Sequence, residues 1–286
     1  MKILLLGKNG QVGWELQRTL ATLGEVIALG SQEINLAEPE SIRSIVHAIR
    51  PNLIVNAAAY TLVDKAESEP ELAMTVNGIA PGVLAEEAAL LGASLIHYST
   101  DYVFNGNQGI PYTEEDKPNP INIYGKTKLA GEEAIMESEA KHLIFRTSWV
   151  YSLRGQNFLR TMLKLVAEKD ELSIVNDQFG TPNWARMIAE VTAQVALLNR
   201  DEWNISGTYH LTASGHTSWY GFAEKIFELA LPAGRKLPRL NAISTVEYKT
   251  EAARPGYSVL DNSSFKEKTG IQLPSWADML ELVLTI

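Results

Sequence analysis

The sequence predicts an α/β protein: a doubly wound parallel sheet followed by a smaller mixed C-terminal domain. Three observations carry this expectation. Short apolar runs alternate with helical patterns over residues 1–150. The first run, Lys2-Ile3-Leu4-Leu5-Leu6, passes directly into the glycine-rich turn Gly7-Lys8-Asn9-Gly10-Gln11-Val12-Gly13 and then into a helix. A later run ends in the polar cluster Ser99-Thr100-Asp101, and open α/β sheets place their chemistry at such strand ends. Together these describe a Rossmann-type sheet.

Taken in order, Lys2 to Leu6 reads as a strand buried on both faces. The three glycines are spaced G-x-x-G-x-x-G, which differs from the G-x-G-x-x-G of many dehydrogenases. Glycine permits close backbone approach, so a dinucleotide diphosphate can meet the amides and dipole at the start of the helix over Trp14 to Leu23. The plainer alternative is a tight βα turn. Glu25 to Leu29 is the second strand. A ribose-binding acid is expected about 20 residues beyond the glycines, but Gly30-Ser31-Gln32 stands there, with Glu33 close behind.

Pro39 to Ile49 is a helix opened by its proline, with Ile42, Ile45, Val46 and Ile49 on one face. Leu53 to Val55 is the third strand, and small residues follow it at Ala57-Ala58-Ala59. Glu71 to Leu91 reads as one long helical region, and Ser94 to Tyr98 as the fourth strand. The segment Gly106 to Pro120 is loop-like. Leu143 to Phe145 is a fifth strand, leading to Arg146-Thr147-Ser148-Trp149.

Beyond residue 150 the pattern loosens. Helices are expected over Phe158 to Ala167, Met187 to Leu198 and Trp219 to Leu231, and strands over Leu172 to Val175 and Thr208 to Leu211. Gln178 to Pro182 reads as a turn, Arg235, Lys236 and Arg239 as a basic cluster, and Ala253 to Gly256 as a loop. The expected division is 1–150 for the first domain and 151–286 for the second, with pieces of the second returning to the first sheet.

Composition narrows the function. Hydrophobic residues at 45% and charged residues at 21% fit an ordinary soluble protein. With no cysteine there is no disulfide framework, thiol nucleophile or thiolate-bound zinc. The start MKILLLGKNG lacks the form of a signal peptide, and no apolar run reaches the roughly 20 residues that span a bilayer. A formal charge of -9 argues against a nucleic-acid surface. A cytoplasmic enzyme with neither membrane nor nucleic acid as partner is the expectation. His47, His97, His142, His210 and His216 show no i, i+4 ligand pairing, so packed or solvated roles are expected and no metal site.

The stretch Ile121 to Glu132 carries the sharpest chemical signal. Tyr124 and Lys128 are four apart, on one face of a helix that begins after the run KPNP. An ammonium beside a phenol lowers its ordinary pKa of about 10 and suits the pair to general acid–base work. A solvated helix face is the ordinary reading of an isolated Y-x-x-x-K.

The motifs GKNGQVG, NAAAYT, STDYVF, YGKTK, RTSWVY and ARPGYS together resemble the extended short-chain dehydrogenase/reductase superfamily. Within it they are similar to the dTDP-4-dehydrorhamnose reductase family, from Met1 to about Asp261. The resemblance implies a C-terminal substrate domain and reduction of the 4-keto group of a dTDP-sugar by nicotinamide hydride. Gly30 in place of a ribose-binding acid, with Ser31 and Lys8 beside it and no Arg in the loop, leads to the expectation that NADPH is used and NADH accepted. The resemblance implies that Gly7, Gly10, Gln11, Val12 and Gly13 hold the cofactor diphosphate and that Ala59, Tyr60 and Thr61 flank the cofactor. Tyr124 would protonate the sugar carbonyl, while Lys128 binds the nicotinamide ribose and tunes Tyr124. Thr100 and Asp101 would orient the sugar, Trp149 would pack on it, and Arg254 would pair with its diphosphate. Asn35 stands where family members often carry Asp, a departure at the adenine end. Magnesium between subunits, with Glu15 contributing, is implied by resemblance alone, and a monomer or homodimer is expected.

Two other classes share the fold: a relative that retains NAD and dehydrates or epimerises its sugar, and a non-catalytic member of the methionine adenosyltransferase regulatory-subunit type. Dehydratases carry Thr-Asp-Glu at the fourth strand end. Here the run is Thr100-Asp101-Tyr102, which favours reduction.

Overall fold

In a computed structural model, described here for residues 1–200, 202–230 and 238–285, one six-stranded parallel sheet organises the chain. Its strands are β1 (Lys2–Leu6), β2 (Glu25–Leu29), β3 (Leu53–Asn56), β4 (Ser94–Thr100), β5 (Lys141–Thr147) and β10 (Gly207–His210), in spatial order β10-β5-β4-β3-β1-β2. Every pairing within it is parallel. Side chains alternate across a strand, so the run Ile3 to Leu6 feeds two cores. Ile3 and Leu5 pack with Leu16, Val55, Ile96 and Phe145 on one face. Leu4 and Leu6 pack with Ile42, Val46, Ile54 and Leu84 on the other.

The helices explain those two faces. α1 (Gln11–Thr19) and the later α8 (Ala185–Leu198) cover the first face, while α2 (Pro39–Ile49) and α5 (Ala80–Leu91) cover the second. Pro39 opens α2 where a missing N–H costs nothing, and Arg50 closes it in a left-handed conformation at φ 50°. The long helical region of the second face is not uniform. α3 (Val63–Ser68) precedes α4 (Pro70–Met74), a π-turn follows over Thr75–Ile79, and α5 then continues. Such π-turns arise often at functional sites, and this one carries the buried Asn77.

Between β4 and β5 lies α6 (Ile123–Glu137), which carries the Tyr124–Lys128 pair. Its start is fixed by Asn122, whose side-chain oxygen accepts from the Gly125 N–H at 2.7 Å. The same side chain donates to the Ala253 carbonyl at 2.8 Å, tying the helix to a loop from the far end of the chain.

The second half forms a smaller unit. β6 (Val150–Tyr151) pairs with β9 (Asn183–Trp184), and β7 (Glu171–Val175) pairs with β12 (Arg239–Ile243). β8 (Phe179–Gly180) pairs antiparallel with β11 (Thr217–Ser218), so the expected turn at Gln178 to Pro182 contains a short strand. α7 (Phe158–Glu168), α9 (Trp219–Ala230) and α11 (Trp276–Leu284) enclose a separate core with Leu159, Met162, Phe222, Phe227 and Leu280. α10 (Ser263–Thr269) sends Phe265 back into the core of the main sheet. Arg239 begins β12 beside Glu171; Arg235 and Lys236 lie outside the described residues. Among the described residues no helix is long and apolar enough to cross a membrane.

Candidate active site

The glycine turn after β1 is built for close backbone approach. Gly7 has φ +86°, and a Cβ there would lie 2.7 Å from the Ala57 carbonyl. A Cβ on Gly13 would fall 2.0 Å from the Gly7 oxygen. Only hydrogen fits at either position. Gly10 stands at the N-cap of α1 with no side chain capping the helix, so backbone N–H groups there remain for an anion. The Gln11 side chain is turned elsewhere: it donates to the Val150 carbonyl at 3.2 Å and accepts from Asn157 at 2.7 Å and Ser152 at 3.0 Å. Gln11 therefore offers its backbone, not its amide, to the turn. Val12 packs into the core.

Beside this turn lies a cavity of about 210 Å³, lined by Gly7, Ser31, Ile34, Asn35, Ala59 and Val76 among others. Its largely apolar wall suits a flat base. Asn35 is committed to the loop, accepting from the Ala37 N–H at 3.0 Å and donating to Glu38 at 2.8 Å. Tyr60 and Thr61 stand differently from Ala59. The Tyr60 hydroxyl donates to Glu69 at 2.7 Å, Asn77 brackets the Tyr60 backbone through both N–H and C=O, and Thr61 is exposed. Glu33 accepts from the Gly30 N–H at 2.8 Å and from Lys8 at 2.6 Å. The Lys8 bond, first, and the Gly30 N–H hold the Glu33 carboxyl below its usual range. The acid that the spacing leaves unassigned thus closes the loop beneath the glycine turn.

At the C-terminal ends of β4 and α6's first turns, Thr100, Asp101, Tyr124 and Lys128 converge. The Thr100 hydroxyl donates to Asp101 at 3.1 Å and also contacts the Tyr124 phenol. Asp101 accepts a second hydrogen bond from Ser258. Burial pushes the Asp101 carboxyl up to about 7, against the pull of Ser258 and Thr100. Tyr102 meets Tyr124 edge-on at 6.0 Å, and burial, with the nearby Asp101, raises its phenol well above the ordinary range.

The expected lowering of Tyr124 by Lys128 is corrected. Burial pushes the Tyr124 phenol up to about 12, with the Thr100 hydroxyl opposing. The Lys128 Nζ is directed to the Tyr98 carbonyl at 2.6 Å and the His97 Nε2 at 3.0 Å, and burial brings it down to about 8. Spacing places both side chains on one face, but the amine has its own buried partners. Desolvation then decides the phenol. The Tyr124 phenol is held in its protonated form.

A second cavity, about 370 Å³, opens in the C-terminal unit between α7, β7 and Trp219, with Gln178, Tyr248 and Arg254 on its rim. Arg254 is gripped in bidentate fashion by Asp64, at 3.0 and 2.8 Å, and donates to the Ala252 carbonyl. Its remaining N–H groups can take a further acceptor. Trp149 lies face to face with Trp219 at 3.6 Å and holds a left-handed φ of 43°, rare for an aromatic residue. Asp64, Asn56, His97, Ser258 and Trp219 were not assigned from sequence. No local spacing marks them, because they reach the site from separate strands, helices and loops.

A family model described as RmlD substrate binding domain matches residues 1–286. The chain belongs to this family. It is 49% identical over 282 residues to the dTDP-4-dehydrorhamnose reductase of Escherichia coli (strain K12), covering 96% of this chain and 94% of that one. Among solved structures, a dTDP-4-dehydrorhamnose reductase from Bacillus anthracis in complex with NADP superposes with a TM-score of 0.91 at 36% identity, covering 99% of this chain and 98% of that one. An ortholog of the same reductase from Clostridium acetobutylicum gives 0.92 at 39% identity, covering 100% and 99%. Within the RmlD family frame, the glycine cradle, the uncapped helix start and the flat apolar cavity fit a dinucleotide. Among the described residues no group of three or more His, Asp or Glu side chains gathers as a cation site. Glu15 instead lies in the field of Arg186, Arg18, Glu190 and Arg154, its carboxyl raised by burial.

Proposed function

We propose that this chain is an NADPH-dependent dTDP-4-dehydrorhamnose reductase, converting dTDP-4-dehydro-6-deoxy-L-mannose to dTDP-L-rhamnose in the cytoplasm. The observation that carries the reading is the convergence of Thr100 and Lys128, both buried, with the half-buried Tyr124 at the sheet's C-terminal edge, beside a dinucleotide cradle. Residues 1–150 hold the cofactor and 151–286 the nucleotide sugar, with α8 and β10 returning to the first sheet.

When bound, NADPH supplies the hydride that adds to the sugar carbonyl carbon. Gly7, Gly10, Gln11, Val12 and Gly13 hold its diphosphate through backbone, and Asn35, Ala59, Tyr60 and Thr61 belong to the adenosine and central parts of the same groove. Tyr124 gives its phenolic proton to the carbonyl oxygen as charge develops there. Thr100 and Asp101 orient the sugar, Trp149 walls it, and Lys128 donates to the ribose hydroxyl oxygens. NADH is accepted as well. Gly30 offers no carboxylate against a 2′-phosphate, and Lys8 supplies a cation whose partner Glu33 is exposed enough to yield.

Dehydration is disfavoured by Tyr102, because a half-buried phenol raised first by desolvation and then by Asp101 cannot act as the base that abstraction beside a ketone requires. The deciding experiment incubates the protein with each nucleotide sugar and follows NADPH absorbance and product mass. Stoichiometric oxidation with the 4-keto sugar is expected, fastest with NADPH and measurable with NADH. Loss of water from dTDP-glucose, or inertness toward both sugars, would overturn the reading.

The Arg254 role is tested separately. Its guanidinium is pre-aimed by Asp64, which is itself held below its usual range first by that guanidinium. A charged hydrogen bond contributes about 1.5–3 kcal/mol, so Arg254→Ala should raise KM for the dTDP-sugar by roughly 10–100-fold. KM for NADPH should stay unchanged. An unaltered sugar KM would place the diphosphate elsewhere.

A further inference from the structure

The partners of Lys128 leave a question of protons. Three buried side chains from three elements stand in line: Asn56 at the end of β3, His97 in β4 and Lys128 in α6. Asn56 Nδ2 lies 3.1 Å from His97 Nδ1, and His97 Nε2 lies 3.0 Å from Lys128 Nζ. The orientation of the Asn56 amide is fixed by a second bond, because its oxygen accepts from the Ala58 N–H at 3.2 Å. Its nitrogen must then face the imidazole, and an amide nitrogen only donates.

Nδ1 therefore accepts, and a neutral imidazole with a bare Nδ1 carries its proton on Nε2. That N–H points at Lys128. An ammonium has three donors and no acceptor, so an Nε2–H facing it would set two donors against one another. A neutral amine resolves the conflict: its lone pair accepts from Nε2–H while one N–H donates to the Tyr98 carbonyl at 2.6 Å.

We propose that Asn56 and His97 lock the imidazole in its Nε2–H form, so that Lys128 rests as a neutral amine and takes up a proton when the dinucleotide binds. The inference rests on the reading of this groove as the NADPH site. On binding, a proton from solvent adds to the Nζ lone pair, the Nε2–H contact to it breaks, and the ammonium donates to ribose hydroxyl oxygens. The arriving diphosphate favours that charge. The charged and titratable groups around Lys128 agree with the assignment. His97 from β4 is pushed well below its ordinary value by burial, and further by Lys128. Burial lowers Lys128 itself to about 8, with Glu132 of its own helix opposing. Glu132 is already paired with Arg146 of β5, Tyr124 one turn earlier is protonated, and β3 and the π-turn contribute only the uncharged Asn56 and Asn77. His97 is a positioning residue in this scheme and touches neither sugar nor hydride.

Two readouts test it. In the cofactor-free protein labelled with ¹⁵N-histidine, the His97 signal, assigned by its loss in His97→Asn, should be that of the Nε2–H tautomer. An Nδ1–H or doubly protonated ring would overturn the lock. Calorimetric titration with NADPH at pH 8.5, in two buffers of different ionisation enthalpy, should show more than about half a proton taken up per cofactor bound, as follows from an amine mostly neutral at that pH.

Asn56→Asp reverses the lock, because a carboxylate only accepts and draws the imidazole proton to Nδ1. Nε2 then accepts from an ammonium already present, and uptake should fall below about one fifth of a proton. His97→Asn, whose amide can turn its oxygen to Lys128, should lose the uptake as well and serves if Asn56→Asp does not fold. Unchanged uptake in the folded variant would sink the proposal. NADPH that binds without uptake in the wild-type protein removes this inference alone; NADPH that does not bind at all removes the functional reading, and the tautomer is still measured.

Discussion

Tyr124→Phe should lower turnover of the 4-keto sugar by roughly 10²–10⁴-fold, the usual effect of removing one positioned acid, while NADPH affinity stays near its wild-type value. The phenol is half-buried, and desolvation pushes it up to about 12, so it remains protonated throughout the neutral range. The neighbouring Thr100 hydroxyl opposes that rise without reversing it. Phenylalanine keeps the ring and its edge-on contact with Tyr102 but removes the only atom that donates. Because the loss falls on proton transfer, kcat and kcat/KM should drop together. Steady-state kinetics with NADPH fluorescence titration checks both halves. A Phe variant that turns over at a near wild-type rate would exclude Tyr124 as the acid.

The same pH logic gives a sign for Asp101. Its folded-state carboxyl is raised to about 7 from an ordinary value of 3.8. A group raised in this way contributes stability that is fully present below about pH 4 and is lost as pH rises toward 7. Asp101→Asn retains a similar shape without the charge. Relative to that variant, the wild-type protein should lose stability between pH 4 and 8, measured as the urea midpoint at each pH. A difference between the two proteins that does not change with pH would show that Asp101 titrates normally.

Much of the scaffold was legible because local rules and tertiary packing agree there. The helix at Pro39–Ile49 and the strand at Glu25–Leu29 carry their own start signals and apolar periods, and both form over those residues. The Gly7–Gly13 turn likewise has a reason at each glycine. The π-turn over Thr75–Ile79 was hidden within a helical pattern, because it differs from α-helix by one hydrogen-bond step and leaves the apolar period almost intact. α10 and α11 were missed as well, their apolar faces being short and adjacent to loops.

The site was legible only as far as sequence spacing reaches. Tyr124 and Lys128 share a face because four residues make about one turn. The partners that set their charge come from elsewhere: Asn56 is 41 residues from His97, and His97 is 31 from Lys128. Arg254 meets Asp64 across 190 residues. A charge inferred from a neighbour in sequence is therefore unreliable wherever burial and a distant partner act more strongly, and at Tyr124 both did.

The largest expected loss of stability is at Glu132, one turn beyond Lys128. Its carboxylate accepts from Arg146 Nε at 3.0 and 3.2 Å and from Nη2 at 2.7 Å, with the two side chains 0% and 5% exposed. The pair fastens α6 to β5 from within the protein and so fixes the helix that carries Tyr124 and Lys128. Breaking a buried pair leaves an uncompensated charge and costs about 3–5 kcal/mol. Glu132→Ala should lower the urea unfolding midpoint accordingly, with an unchanged slope. Arg146 already has one buried nitrogen without a partner, so little remains to take over. Replacing both residues, Glu132→Leu with Arg146→Met, removes both charges and should recover most of the loss. A double variant as unstable as Glu132→Ala would assign the cost to packing and not to charge. The recovered protein should nevertheless stay slower than wild type, because the Glu132 charge also raises Lys128 against burial. Stability and turnover would then separate in one cycle of variants, with the ion pair serving the fold and the carboxylate alone serving the amine.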